Sequence, residues 1–150
     1  MRIVIQRVSQ AQVKIAGEVV GNIGQGLLVL LGIENEENPS DLVWLVNKLL
    51  NLRIFNDKNQ VMNLSLLDTQ GQLMVISQFT LMAATKKGNR PSYINAARHE
   101  TAIPLYEQFL LLAEEQLGKK VAKGVFGADM KVSLTNDGPV TIVIDSKKRE

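Results

Sequence analysis

The stretch "GQGLLVLLGI", residues 24–33, places five apolar side chains in succession, Leu27 to Leu31. A strand with one face in water alternates apolar and polar residues; this one does not, so it reads as a strand buried on both faces. Such a strand needs cover on both sides, which points to a layered α/β architecture. Its leading G-x-G stands between two strand-like runs and does not open a helix. A tight turn therefore explains the glycines better than a nucleotide-binding fingerprint does.

Working outward, residues 4–8, 13–15 and 18–23 predict short strands, with Ala16-Gly17-Glu18 as a hairpin turn. Asn38-Pro39-Ser40-Asp41 predicts a helix start: a capping side chain, proline in the first turn and an early acid for the dipole. Leu42, Leu45, Val46 and Leu49 share one face, so this helix runs to about Asn51. A short strand at 53–55, a turn at 56–59 and a strand at 73–77 follow. A second helix is expected over 102–117, with Leu105, Phe109 and Leu112 on its stripe and Gly118 as its stop. Strands are expected at 121–125, 131–135 and 140–145, then a loose SKKRE tail. Residues 82–98 carry no periodicity and form the longest irregular stretch, where function concentrates. The order predicts a mixed sheet system with helices on one side, in a single domain spanning 1–150.

Composition narrows the chemistry. With 45% hydrophobic and 21% charged residues in 150, the chain has the make-up of an ordinary globular domain. No segment reaches the ~20 apolar residues of a membrane helix, and MRIVIQRV alternates like a strand instead of forming a signal peptide. A cytoplasmic protein is the expectation. Without cysteine, thiolate catalysis and cysteine zinc sites are excluded. His99 is the one histidine, no G-x-S-x-G elbow accompanies it, and a surface position near a helix start is its plain reading. Net charge is +2, but its distribution is uneven. Lys86, Lys87, Arg90 and Arg98 fall in a stretch between Asp68 and Glu100 that contains no carboxylate, and Lys119, Lys120 and Lys123 form a second cluster. Either cluster permits a polyphosphate partner, and either suits a solvated surface.

Two motifs stand out. In Ser77-Gln78-Phe79-Thr80, two hydroxyls and an amide leave an apolar strand just before the basic stretch. Ser77 and Thr80 would need a nearby base to act as nucleophiles, and none is evident. In Asn136-Asp137-Gly138-Pro139, a turn sequence ends on a proline where a strand should resume.

"QRV" at 6–8, "GLLVLLG" at 26–32, "MNLS" at 62–65, "SQFTL" at 77–81, "RPSY" at 90–93, "FGADM" at 126–130 and "NDGPVT" at 136–141 together resemble D-aminoacyl-tRNA deacylase, in order and over essentially the whole chain. That resemblance implies a homodimeric α/β sandwich of two sheet layers and one helical layer. It implies an editing hydrolase, active in chiral proofreading, that cleaves the ester of D-aminoacyl-tRNA. The family's Gly-cisPro motif maps onto Gly138 and Pro139, inserted by one subunit into the other's site to exclude L-amino acids, and glycyl-tRNA is expected to enter. Ser77, Gln78, Phe79 and Thr80 would line the catalytic pocket. Arg7 would help to hold the partner's wedge, and Phe126 and Met130 would contribute to the pocket. Two mechanisms stay open: attack by Thr80, or use of the ribose 2′-hydroxyl with backbone N–H groups near Phe79 and Thr80 as oxyanion donors. The implied partners are the tRNA 3′ aminoacyl end and a second copy, with no membrane, DNA, metal or cofactor.

Overall fold

The computed structural model describes residues Met1–Glu150 and opens with a strand far longer than the apolar pattern predicts. β1 (Arg2–Ile15) is continuous, although Ser9 and Gln10 are exposed and interrupt the alternation. Pairing with a distant strand carries the backbone through that gap. β2 (Glu18–Ile23) returns through Ala16 and Gly17, whose φ angles are 49° and 85°. β3 (Gly26–Gly32), α1 (Pro39–Asn51) and β4 (Phe55–Asn56) follow. Then come β5 (Met62–Leu64), α2 (Leu66–Thr69) and β6 (Gln72–Ser77), the last running into a 3₁₀ turn at Phe79–Met82. α3 (His99–Leu117), β7 (Ala122–Lys123) and β8 (Lys131–Asp145) complete the chain. The fold is α/β. Its six-stranded sheet has the order β2-β1-β3-β6-β7, with β8 lying along β1, and β4 and β5 form a separate pair.

β3 is buried on both faces. Leu27, Val29 and Leu31 join Ile3, Ile5, Leu73 and Val75 beneath α1 and α3, against Leu42, Leu45, Leu49 and Phe109. Each such side chain, removed from water, contributes about 1.5–3 kcal/mol. Leu28 points the other way and packs with Met74, Ile76, Val8, Val13 and Ile23. β2 and the second half of β1 thus fold back over the sheet and cover the face the helices leave open. Tyr106 fixes α3 to β6 by donating its hydroxyl to the Val75 carbonyl at 2.8 Å, and burial pushes its pKa up, so it stays a donor.

α1 starts as expected: the Asn38 side chain accepts from the Ser40 amide, with Pro39 in the first turn. α3 begins at His99, three residues before the predicted start, without a side-chain cap. α2 is a single turn held by a capping box, in which the Ser65 hydroxyl accepts from the Asp68 amide and the Asp68 carboxylate accepts from Ser65.

Two expectations require correction. Residues 131–145 are one strand, not two, because both halves pair with β1: Gln10 stands opposite Thr135, and Gln6 opposite Thr141. Residues 136–139 are therefore an outward excursion within a strand. The segment 82–98 is irregular as expected, although Ala84 and Ser92 exchange two backbone hydrogen bonds of 2.8 and 3.0 Å within it. Lastly, the tail is tied down. Ser146 is buried and donates its amide to the Met1 carbonyl, and the Arg149 guanidinium lies 4.2 Å from the Trp44 ring centroid while donating to Asp41 at 2.7 Å.

Two outcomes follow from this packing. A Cβ on Gly26 would lie 1.8 Å from the Gln72 carbonyl oxygen, so Gly26→Ala should force β3 and β6 apart and cost about 3 kcal/mol or more in chemical denaturation. Burial acts to raise the pKa of Asp145, but hydrogen bonds from Arg2 and the Lys147 amide, with the Arg2 charge, outweigh it and hold the carboxyl below its usual range. The Arg2–Asp145 pair, 2.9 Å apart, therefore stabilises the fold above the ordinary carboxylate pKa and stops doing so as pH falls through the depressed one. Asp145→Asn should cost about 1 kcal/mol at pH 7 and make the loss of stability below about pH 4 shallower.

Candidate functional site

β3 and β6 run parallel, so their C-terminal ends open at the same edge of the sheet. Ligands commonly meet such an edge. Here it opens onto a cavity of about 570 Å³. Leu31 and Ile33 form one wall, and Ile76, Ser77, Gln78 and Phe79 a second. Tyr93, Ala96, Ala97, Arg98, His99 and Ala102 close a third side, and residues 126–130 with Val132 a fourth. The lining is mainly apolar with a few converging polar groups, the usual make-up of a small-molecule site.

Aromatic edges shape the mouth. Phe79, half exposed, meets Tyr93 edge-on at 5.0 Å between centroids. Phe126 sits between His99 at 5.5 Å and Tyr106 at 5.8 Å. Met130 packs onto Gly124, where any Cβ would lie 2.2 Å from its sulfur.

The chain leaves β6 sharply. The Gln78 amide donates to the Leu31 carbonyl at 2.8 Å, and the 3₁₀ turn begins at the next residue. Phe79 and Thr80 open that turn, so their N–H groups have no acceptor within it. The Thr80 hydroxyl accepts from Gln78 Nε2 at 2.5 Å. No carboxylate or imidazole is hydrogen-bonded to Thr80, and an amide nitrogen that is already donating cannot take up its proton.

A second constellation lies on β8. Opposite the single residue Arg7, between the Gln6–Thr141 and Val8–Asn136 pairs, β8 carries four residues, 137–140. Arg7 is 7% exposed and fills the space under this excursion. Its Nε donates to the Asp137 carbonyl at 2.8 Å and its Nη1 to the Ile54 carbonyl at 2.6 Å. Asn136 closes the loop from the other side, accepting from the Val140 amide at 2.7 Å and donating to the Val140 carbonyl at 3.2 Å. The Gly138–Pro139 peptide is cis, Gly138 has φ +149°, and both residues are exposed. A Cβ at Gly138 would meet Val140 Cγ2 at 2.7 Å, so only glycine fits this backbone.

Of the residues singled out from the sequence, Ser77, Gln78, Phe79, Phe126 and Met130 line one cavity, and Thr80 follows Phe79 in the 3₁₀ turn without lining it. Arg7, Gly138 and Pro139 gather elsewhere. Neither Gly138 nor Pro139 lines the cavity: their excursion faces Arg7, which pairs with Leu27 at the start of β3, whereas the cavity opens at the end of that strand, at Leu31. Within the chain, Arg7 grips its own excursion. Tyr93, Arg98, His99 and Asp129 also line the cavity without having been named as site residues. Tyr93 and Asp129 both fall inside segments that carry the family resemblance, RPSY at 90–93 and FGADM at 126–130.

A family model described as D-Tyr-tRNA(Tyr) deacylase matches residues 4–145. A protein of Flavobacterium psychrophilum named D-aminoacyl-tRNA deacylase is 62% identical over 150 residues, covering 100% of both chains. A solved structure named "c-Myc DNA Unwinding Element Binding Protein" is 39% identical with a TM-score of 0.91, over 97% of this chain and 98% of that one. Another, "Structural Analysis of a probable eukaryotic D-amino acid tRNA deacylase", is 17% identical with a TM-score of 0.84, over 95% and 97% of the two chains, and so shares the fold.

The hydrogen bonds around Arg7 can be tested directly. Arg7→Ala strands two carbonyls and should cost about 3 kcal/mol in denaturation, given ~1.5–3 kcal/mol for each bond to a charged group. Amide exchange at Val140 should speed up in Arg7→Ala and in Asn136→Ala, while exchange at the β3 amides stays slow.

Proposed function

The chain belongs to the D-Tyr-tRNA(Tyr) deacylase family, and from that premise we propose that it hydrolyses the ester joining a D-amino acid to the 3′-terminal adenosine of tRNA. The whole chain is then one deacylase domain, working in the cytoplasm without metal or cofactor. The observation that carries the reading is the cavity at the ends of β3 and β6, where Ser77, Gln78 and Phe79 stand with Phe126 and Met130. An apolar hollow with backbone donors at one wall suits an aminoacyl ester whose carbonyl must develop negative charge.

In this reading a water molecule, oriented by the substrate's ribose 2′-hydroxyl, adds to the ester carbonyl. The N–H groups of Phe79 and Thr80 receive the oxyanion. The bond from acyl carbon to ribose oxygen then breaks, the proton passes to that oxygen, and free amino acid leaves. A hydroxyl already held beside the ester has the advantage of proximity. Thr80 as nucleophile is the weaker alternative, because its hydrogen-bond partner, Gln78, supplies no base.

Chirality needs a separate device. D and L forms of one amino acid have the same area and polarity, and pockets that read bulk alone discriminate by only ~1–3 kcal/mol per methylene. A wall at the α-carbon separates them by collision. Gly138 and Pro139 offer exposed backbone with little side chain, stiffened by Arg7 and Asn136. They do not line their own cavity, which supports a homodimer in which each copy lends its excursion to the other. Each protomer would be a sandwich of two sheet layers and one helical layer.

The deciding assay is release of labelled D-tyrosine from charged tRNA, compared with the L form and with a D-tyrosine ester lacking RNA. Turnover of D-tyrosyl-tRNA with L rejected is the expected result. Binding without turnover would replace the reading with a noncatalytic RNA-binding module, and turnover of the simple ester alone would replace it with a small-molecule esterase. Thr80→Val should keep activity within about tenfold, whereas removal of the terminal 2′-hydroxyl should cost about 10² or more. Glycyl-tRNA should be hydrolysed at a rate close to D-alanyl-tRNA, because glycine offers the wall nothing to strike. A mixed dimer of one Gly138→Ala chain and one cavity-mutant chain should recover a single working site.

A further inference from the structure

The two basic clusters have different surroundings. Lys119 donates to the Gln70 carbonyl at 2.6 Å, and Lys120 pairs with Glu114 at 3.0 Å. Lys86, Lys87 and Arg90 are exposed, and none makes an ion pair or a side-chain hydrogen bond. No carboxylate lies between Asp68 and Glu100 to compensate them along the chain. They ride on a hairpin closed by the Ala84–Ser92 bond pair, with Gly88 at its tip at φ +67°.

The base of that hairpin is fixed to the cavity. Tyr93, the residue after the closing pair, lines the cavity and meets Phe79 edge-on. Further on, the Ala97 amide donates to the Ile33 carbonyl at 2.9 Å, and the Asn35 side chain donates to the Ile94 carbonyl at 3.2 Å. Lys86, Lys87 and Arg90 do not line the cavity. Lys86 and Arg90 stand two residues beyond the closing pair and Lys87 three, on the far side of it from Tyr93. They can therefore act only on those parts of a ligand that remain outside the cavity when its reactive end is inside.

We propose that the hairpin 84–92 is a docking arm for the sugar–phosphate backbone of the tRNA acceptor end, with Lys86, Lys87 and Arg90 contacting phosphates beyond the terminal adenosine. This rests on the deacylase reading above and extends it from the ester to the body of the substrate. Three unpaired cations on an arm at the mouth match a polyanion that must enter by one end, and such contacts position the strand without reading its sequence.

The test is the triple variant Lys86→Ala, Lys87→Ala, Arg90→Ala, with its thermal unfolding compared to wild type. Two substrates are used: D-tyrosyl-tRNA and D-tyrosyl-adenosine, which has no phosphate. On tRNA, kcat/KM should fall about tenfold or more at low salt. Its log–log salt slope should flatten by about 2, from ~0.7 per lost contact on a single strand. On D-tyrosyl-adenosine the variant should match wild type. Unchanged tRNA hydrolysis at every salt concentration overturns the inference, as does an equal loss on both substrates. Weakened duplex-DNA binding with intact tRNA hydrolysis overturns it in favour of a DNA-docking arm. A wild-type chain inert on both substrates overturns the deacylase reading itself, and the docking arm falls with it.

Discussion

The antiparallel pairing of β1 with β8 is the constraint on which the rest of the molecule depends. It joins the two ends of the chain, since Arg2 stands opposite Asp145. It also passes through the bend that turns the outer half of β1 back over the sheet. The helix-side core and the second core are therefore built on one ribbon. Register along that ribbon is set by burial on either side, and a one-residue slip would move every inward side chain outward. Four residues are left over opposite Arg7 because the register is fixed both above and below them.

Arg7 links this strand pairing to chemistry. A buried guanidinium needs acceptors, and its donors reach two backbone carbonyls, one at Ile54 and one at Asp137. The same contacts that satisfy the charge also stiffen the excursion bearing Gly138 and Pro139. The cavity is positioned differently, by the parallel ends of β3 and β6 and by α3, which the Tyr106 hydroxyl ties to β6. The two groups of residues thus lie toward opposite ends of β3 on one chain.

Much of this was legible in the sequence where the signal is local. The run 27–31 reads as a doubly buried strand because nothing in it is polar, and Asn38-Pro39 announces α1 by its own chemistry. The misreadings share a cause in long-range pairing or short length. Residues 136–139 look like a turn between strands, and only β1, more than a hundred residues away, shows that the strand continues. The SKKRE tail looks loose because Arg149 finds Asp41 and Trp44 across the fold. α2 is too short for periodicity, although Ser65 and Asp68 have the spacing of a capping box. In the site, the motifs pointed to Ser77, Phe79, Phe126 and Met130, whereas Arg98 and His99 needed the fold to bring the start of α3 to the cavity wall.

The anchored tail has an optical consequence. Trp44 is the only tryptophan, and its indole lies under the Arg149 guanidinium, in a groove that shares no lining residue with the cavity. Tryptophan emission, excited beyond the tyrosine band, therefore reports whether the residues around Arg149 are docked on α1. It is a gauge of the C-terminal latch, set apart from whatever occupies the cavity.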